Sequence, residues 1–278
     1  MPADYQPIGV FDSGYGGLTV FKELIRQLPE YDYIYLGDNA RNPYGTRSFE
    51  VVYEYTWQSV RYLFDRGCRL VILACNTASA KALRNIQQIN LPESFPDHRV
   101  LGVIRPSVEL IPTLTKTGHV GVLGTTGTVI SESYPMEIAK ISPDNPLTVV
   151  QEACPMWVPI VENNLINHPG SAMFVEQNLA NLFARDPLVD TLILGCTHYP
   201  LLAGIIGRYL PEGVQLLYQG PIVAERLEDY LQRHPEIEIG CSRGGTREYF
   251  TTESAENFDK LAKLFLGTEV RSNHMKLG

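Results

Sequence analysis

Two cysteines stand in matching surroundings. Cys75 lies in Ala74-Cys-Asn-Thr-Ala-Ser-Ala80, and Cys196 lies in Gly195-Cys-Thr-His-Tyr-Pro200. Each follows an apolar run that reads as a buried strand, Leu70 to Ala74 and Thr191 to Leu194. A helix is expected to begin near Thr77, and a thiol at a helix N-terminus has its thiolate favoured by the helix dipole. Asn76 and Thr77 offer hydrogen bonds to a carboxylate or an amine. His198, two residues beyond Cys196, is placed to pair with that sulfur or relay its proton. A Cys-x-His pair also suits a metal, but no third ligand follows at regular spacing, so no metal is expected. Structural burial is the ordinary alternative for any single cysteine.

The pairing is what points to chemistry. Equivalent cysteines in two related halves would face each other across a cleft. That suits a reaction needing one base on each face of a planar carbanion, such as racemisation at an amino acid Cα. A thiol pKa near 8.5 lets one partner be thiolate and the other thiol. A third segment, Phe11-Asp-Ser-Gly-Tyr-Gly-Gly-Leu-Thr19, joins a strand to a helix. Its glycines permit close backbone approach, and Asp12 sits at a strand's C-terminal end, where open α/β sheets bind ligands. The spacing is neither the dinucleotide fingerprint nor a Walker loop.

The elements that must hold these residues alternate. Strands are predicted over Pro7–Phe11, Tyr33–Leu36, Leu70–Ala74 and Val100–Ile104. Helices are predicted over Gly17–Gln27, Ser48–Asp65 and Thr77–Gln88. This order implies an α/β fold with mainly parallel sheet. It then restarts: Ile8–Gly14 resembles Val120–Thr126, and Leu70–Thr77 resembles Thr191–His198, at offsets of about 112 and about 121 residues. Two similar half-domains with the site in the cleft between them are therefore expected. The first covers 1–101, completed by 215–268, and the second covers 102–214. The tail, 269–278, has no apolar periodicity and is expected to be disordered. Val214–Tyr218 and Glu248–Thr251 read as strands, Ile222–Arg233 and Ala255–Leu266 as helices.

Composition narrows the class. Of 278 residues, 44% are hydrophobic and 19% charged, enough for a substantial core. A net charge of −8 without a Lys/Arg cluster argues against nucleic acid as a partner. No apolar run spans a bilayer and no secretory signal is visible, so a cytoplasmic protein is expected. Five cysteines, an odd number without a CxxC pair, read as reduced thiols rather than disulfides or structural zinc ligands.

Four motifs in order resemble bacterial glutamate racemase across residues 8 to 267. They are Asp12-Ser-Gly14 with Gly16-Gly-Leu-Thr19, Asp38 with Pro43-Tyr-Gly45, Ala74-Cys-Asn-Thr-Ala78, and Gly195-Cys-Thr-His-Tyr-Pro200. The resemblance implies interconversion of L- and D-glutamate without cofactor, feeding peptidoglycan synthesis and hence cell shape. It also implies two α/β domains and a homodimer. Cys75 would act on D-glutamate assisted by Asp12, and Cys196 on L-glutamate assisted by His198, with Glu162 nearby. Asp12, Ser13, Tyr44, Gly45, Asn76, Thr77, Thr126, Thr197 and His198 would bind substrate. It also implies that the C-terminal segment returns to the first domain. Arg105 stands where no fixed positive charge is expected. Aspartate racemase, with the same two-thiol logic, and a non-catalytic amino-acid-binding relative are the alternatives.

Overall fold

In the computed structural model, residues 6–277 are described. Two parallel sheets carry the architecture. The first has the order β10-β9-β2-β1-β3-β4, built from Ile8–Asp12 (β1), Tyr33–Gly37 (β2), Leu70–Leu73 (β3), Arg99–Gly102 (β4), Arg247–Thr251 (β9) and Ser272–His274 (β10). The second has the order β6-β5-β7-β8, from His119–Gly124 (β5), Thr148–Ala153 (β6), Thr191–Gly195 (β7) and Gln215–Leu217 (β8). Strand for strand, β2-β1-β3-β4 repeats as β6-β5-β7-β8, so the internal likeness read in the sequence is a likeness of topology. β1, β2, β3 and β7 are buried at every residue, as strands covered by helices on both faces must be.

The chain passes between the sheets twice. It leaves β4 through the helix Ile104–Glu109 to reach β5, and leaves β8 through the helix Gln219–Arg233, which lies along the first half's helix Leu18–Gln27. Three details differ from expectation. β4 ends at Gly102, because Ile104 already belongs to a helix. Gln215–Leu217 pairs with β7 in the second sheet and not with the first. The segment 269–277 is not devoid of structure: Ser272–His274 runs parallel to β9, and Met275 is buried against the first sheet's core. Three backbone pairings and one buried side chain hold a segment whose polar residues give no periodic signal. Gly278 lies outside the described residues. The strand β6 and the 17-residue helix Pro169–Arg185 complete the second half.

Among the described residues, no helix is long and apolar enough to cross a membrane.

Candidate active site

β1, β3 and β7 deliver Asp12, Cys75 and Cys196 at or just beyond their C-terminal ends, the edge where parallel sheets place ligand sites. Cys75 caps the helix Asn76–Lys81: its sulfur accepts from the Ala78 N–H at 3.4 Å and lies 3.3 Å from Ser13 Oγ. Burial pushes its pKa up to about 12, and the nearby Asp12 and Cys196 push in the same direction despite the Ser13 and Ala78 hydrogen bonds. The Cys196 sulfur is thus within electrostatic reach of Cys75, although the two come from different sheets.

Asp12 is buried and accepts from the Gly14 N–H at 2.9 Å through Oδ2, while Oδ1 has no hydrogen-bond partner of good geometry among the described residues. Burial raises its pKa, offset in part by His198 and by the Gly17 and Gly14 amides.

On the other side, Cys196 Sγ lies 3.8 Å from His198 Nδ1, and His198 Nε2 is 2.9 Å from Glu162 Oε1. Asn42 Nδ2 reaches both Glu162 oxygens at 3.0 Å. Burial disfavours a charged His198 ring, but the hydrogen bonds and charges of Cys196 and Glu162 outweigh it and lift the pKa to about 10. The imidazolium therefore persists at neutral pH beside Cys196, whereas among the described residues Cys75 hydrogen-bonds only the neutral Ser13 hydroxyl and Ala78 N–H. The two sulfurs are structurally equivalent and electrostatically unequal.

The halves meet closely here. A Cβ on Gly16 would fall 2.3 Å from both His198 Nδ1 and Thr197 Oγ1, so only glycine lets the first loop approach the second thiol's neighbours. Thr19 Oγ1 is 2.9 Å from the Thr197 carbonyl, and Gly45 accepts from the Gly127 N–H at 2.7 Å. Cys75 and Cys196 are each only 6% exposed, so the cleft is closed in this arrangement. A cavity of about 790 Å³ opens elsewhere, between Ser79–Gln88, Ile104–Glu109 and Tyr230; it holds none of the residues above. Arg105 lies on its rim, exposed, paired with Glu109 at 3.1 Å.

The remaining sequence candidates divide. Tyr44 is buried with its hydroxyl on Asp38, which also accepts from Arg41 at 2.6 Å and from Thr252 at 2.9 Å. Thr77 Oγ1 faces Thr125 Oγ1 at 3.0 Å and Thr128 Oγ1 at 3.4 Å across the cleft. Among the described residues, Thr125 and Thr128 make up this cluster with Thr77, and Thr126, the residue expected from that loop, does not hydrogen-bond to it. Thr125 is the N-cap of the helix Thr126–Ile130, and its oxygen accepts from Thr128 N–H. Asn76 is buried, with its amide held by Tyr134 and Gln219. Neither of these partners stands out in the sequence.

Alkaline stability tests this electrostatic picture. Cys75 keeps its proton in the fold up to about 12, whereas an unfolded thiol loses it near about 8.5. Its contribution is full below the unfolded value and is lost as pH rises toward the folded one. His198, raised from 6.5 to about 10, adds stability that is full below its unfolded value and is lost as pH rises through its folded one. The thermal midpoint should therefore begin to fall above about pH 6.5, where His198 starts to lose its contribution, and fall more steeply above about pH 8.5, where Cys75 joins it. Cys75→Ala should flatten that fall by up to about 1.4 kcal/mol per pH unit. An unchanged slope in the variant would contradict the placement of Cys75.

The sequence pattern of the Asp/Glu/Hydantoin racemase family matches residues 8–227. The chain is 40% identical to a glutamate racemase of Streptococcus thermophilus, covering 99% of this chain and 97% of the other. It is 40% identical to that of Persephonella marina, covering 97% of each. Among solved structures, a glutamate racemase isoform of Bacillus anthracis superposes with a TM-score of 0.88 at 36% identity, covering 99% of this chain and 98% of that one. The Francisella tularensis glutamate racemase solved with D-glutamate gives 0.86 at 32%, with the same coverage.

Proposed function

The chain belongs to the Asp/Glu/hydantoin racemase family, and from that premise we propose that it interconverts L- and D-glutamate by proton transfer between Cys75 and Cys196. The observation that carries the proposal is the convergence of two strand-end cysteines, one from each sheet, on one closed cleft. One thiolate removes the α-proton and becomes a thiol; the opposite thiol protonates the other face and becomes a thiolate. Cys196, with the His198 imidazolium and Glu162 behind it, acts on L-glutamate. Cys75, with Ser13 and Asp12 beside it, acts on D-glutamate. The free Asp12 oxygen suits the substrate ammonium or the proton leaving Cys75.

The α-proton is weakly acidic, and general base catalysis contributes only about 10²–10⁴-fold. The rest is assigned to electrostatic preorganisation. N–H groups opening the helix at Asn76, with Thr77, Thr125, Thr128 and Thr197, supply fixed donors for the carboxylates as charge develops. Ser13, Tyr44, Gly45 and Thr126 line the remaining approach. Closure keeps water out, so opposing charges are not screened. No cofactor takes part. The D-glutamate formed would serve peptidoglycan synthesis, in a cytoplasmic homodimer.

The direct test is chiral separation after incubation with L-glutamate or L-aspartate. L-Glutamate should become an equal mixture of enantiomers. L-Aspartate, one methylene shorter, should react about 10- to 200-fold more slowly. Faster aspartate turnover would reassign the substrate, and inertness toward both would leave a binding protein.

A further inference from the structure

The amide of Gln219 joins parts of the chain that are far apart in sequence. Gln219 is 3% exposed and opens the helix Gln219–Arg233, directly after β8. Its Oε1 accepts from Asn76 Nδ2 at 2.6 Å. Its Nε2 lies 2.9 Å from Tyr134 Oη, 2.9 Å from Ser107 Oγ and 3.1 Å from the Val103 carbonyl. Tyr134 closes the circuit by donating to Asn76 Oδ1 at 2.7 Å, and Ser107 donates to the Val103 carbonyl at 2.9 Å.

Each partner stands at a different mechanical station. Val103 and Ser107 belong to the first passage between the sheets, and Gln219 to the second. Tyr134 is on the second half's helix Ser133–Ile141. Asn76 follows Cys75 and begins the helix that Cys75 caps. A buried polar circuit of this kind confers specificity of arrangement more than stability, because every member is satisfied only in one relative placement.

We propose that Gln219 is a positioning residue for the proton transfers, fixing the closed placement of the halves and, through Asn76, the aim of the Cys75 sulfur. This rests on the two-sulfur reading above. Misplacing a reacting group by about 1 Å costs on the order of 100-fold. A loosened Cys75 has a recognisable signature. Cys196 still takes the α-proton of L-glutamate, exchanges it with solvent and returns a deuteron to the same face, while delivery from the opposite face fails more often.

Gln219→Met keeps length and removes the hydrogen bonds; Tyr134→Phe opens the same circuit from the other side. In deuterated water we expect kcat for L-glutamate to fall about 10- to 100-fold in each. KM should change little, and deuterium should appear in the remaining L-glutamate before inversion. Loss of activity merely in proportion to the unfolded fraction, with the ratio of exchange to inversion as in wild type, would overturn the proposal. So would two folded variants within about twofold of wild-type kcat, far inside the expected loss. Wild type that does not racemise glutamate would instead overturn the reading on which it rests.

Discussion

Cys75→Ala and Cys196→Ala should each lower kcat/KM for glutamate racemisation by more than about a thousandfold in both directions, consistent with removal of an acid-base partner worth up to about 10⁴-fold. Neither change should unfold the protein. Both side chains are small, and the structural cost is concentrated at Cys75, whose sulfur caps a helix. Loss of a cap costs about 0.5–2 kcal/mol. The variants should also differ from each other. With Cys75 removed, Cys196 and its His198–Glu162 support remain, so the α-proton of L-glutamate should still wash into deuterated water without D-glutamate forming. With Cys196 removed, the same should hold for D-glutamate. NMR of the α-proton, with chiral separation of the products, reads both. Racemisation by either variant within about tenfold of wild type would end the two-base account, given the size of the acid-base contribution.

His198→Asn and Glu162→Gln should lower kcat/KM by about 10²-fold, the lower end of what a positioned acid-base group contributes. The mirror-image substrates have equal free energy, so kcat/KM must fall by the same factor in both directions. The inequality of the two sulfurs can show itself only in which proton transfer limits the rate. Without the imidazolium 3.8 Å from its sulfur, transfer at Cys196 becomes the slow step. L-Glutamate deuterated at Cα should then show a larger isotope effect than in wild type. Deuterated D-glutamate should show a smaller one, with a larger solvent isotope effect. Equal substrate isotope effects from both enantiomers would contradict the assignment of His198 to Cys196.

Much of this was legible because chemistry and strand pattern coincide. β1, β3 and β7 are continuous apolar runs that end in Asp12, Cys75 and Cys196, so finding the strands located the residues. β6 escaped because it is a half-exposed edge strand. β10 is three residues long and polar, and only its pairing with β9 and the burial of Met275 define it. The loop at Thr125–Thr128 shows how finely a site depends on caps. Its threonines look interchangeable as text, but the helix begins at Thr126 and turns its neighbours toward Thr77. Gln219 gave no signal, since a polar residue at the head of an amphipathic helix is ordinary and its partners lie 85 to 143 positions away.

The double passage of the chain between sheets has a stereochemical consequence. A body tethered by one thread can swivel about it, and swivelling would carry one sulfur off the normal to the carbanion plane. Two tethers side by side remove that rotation and leave bending about the line that joins them, as a door on two pins can swing but not spin. On the proposed reading, these two adjacent passages would let the cleft open to an amino acid and close again with the same handedness.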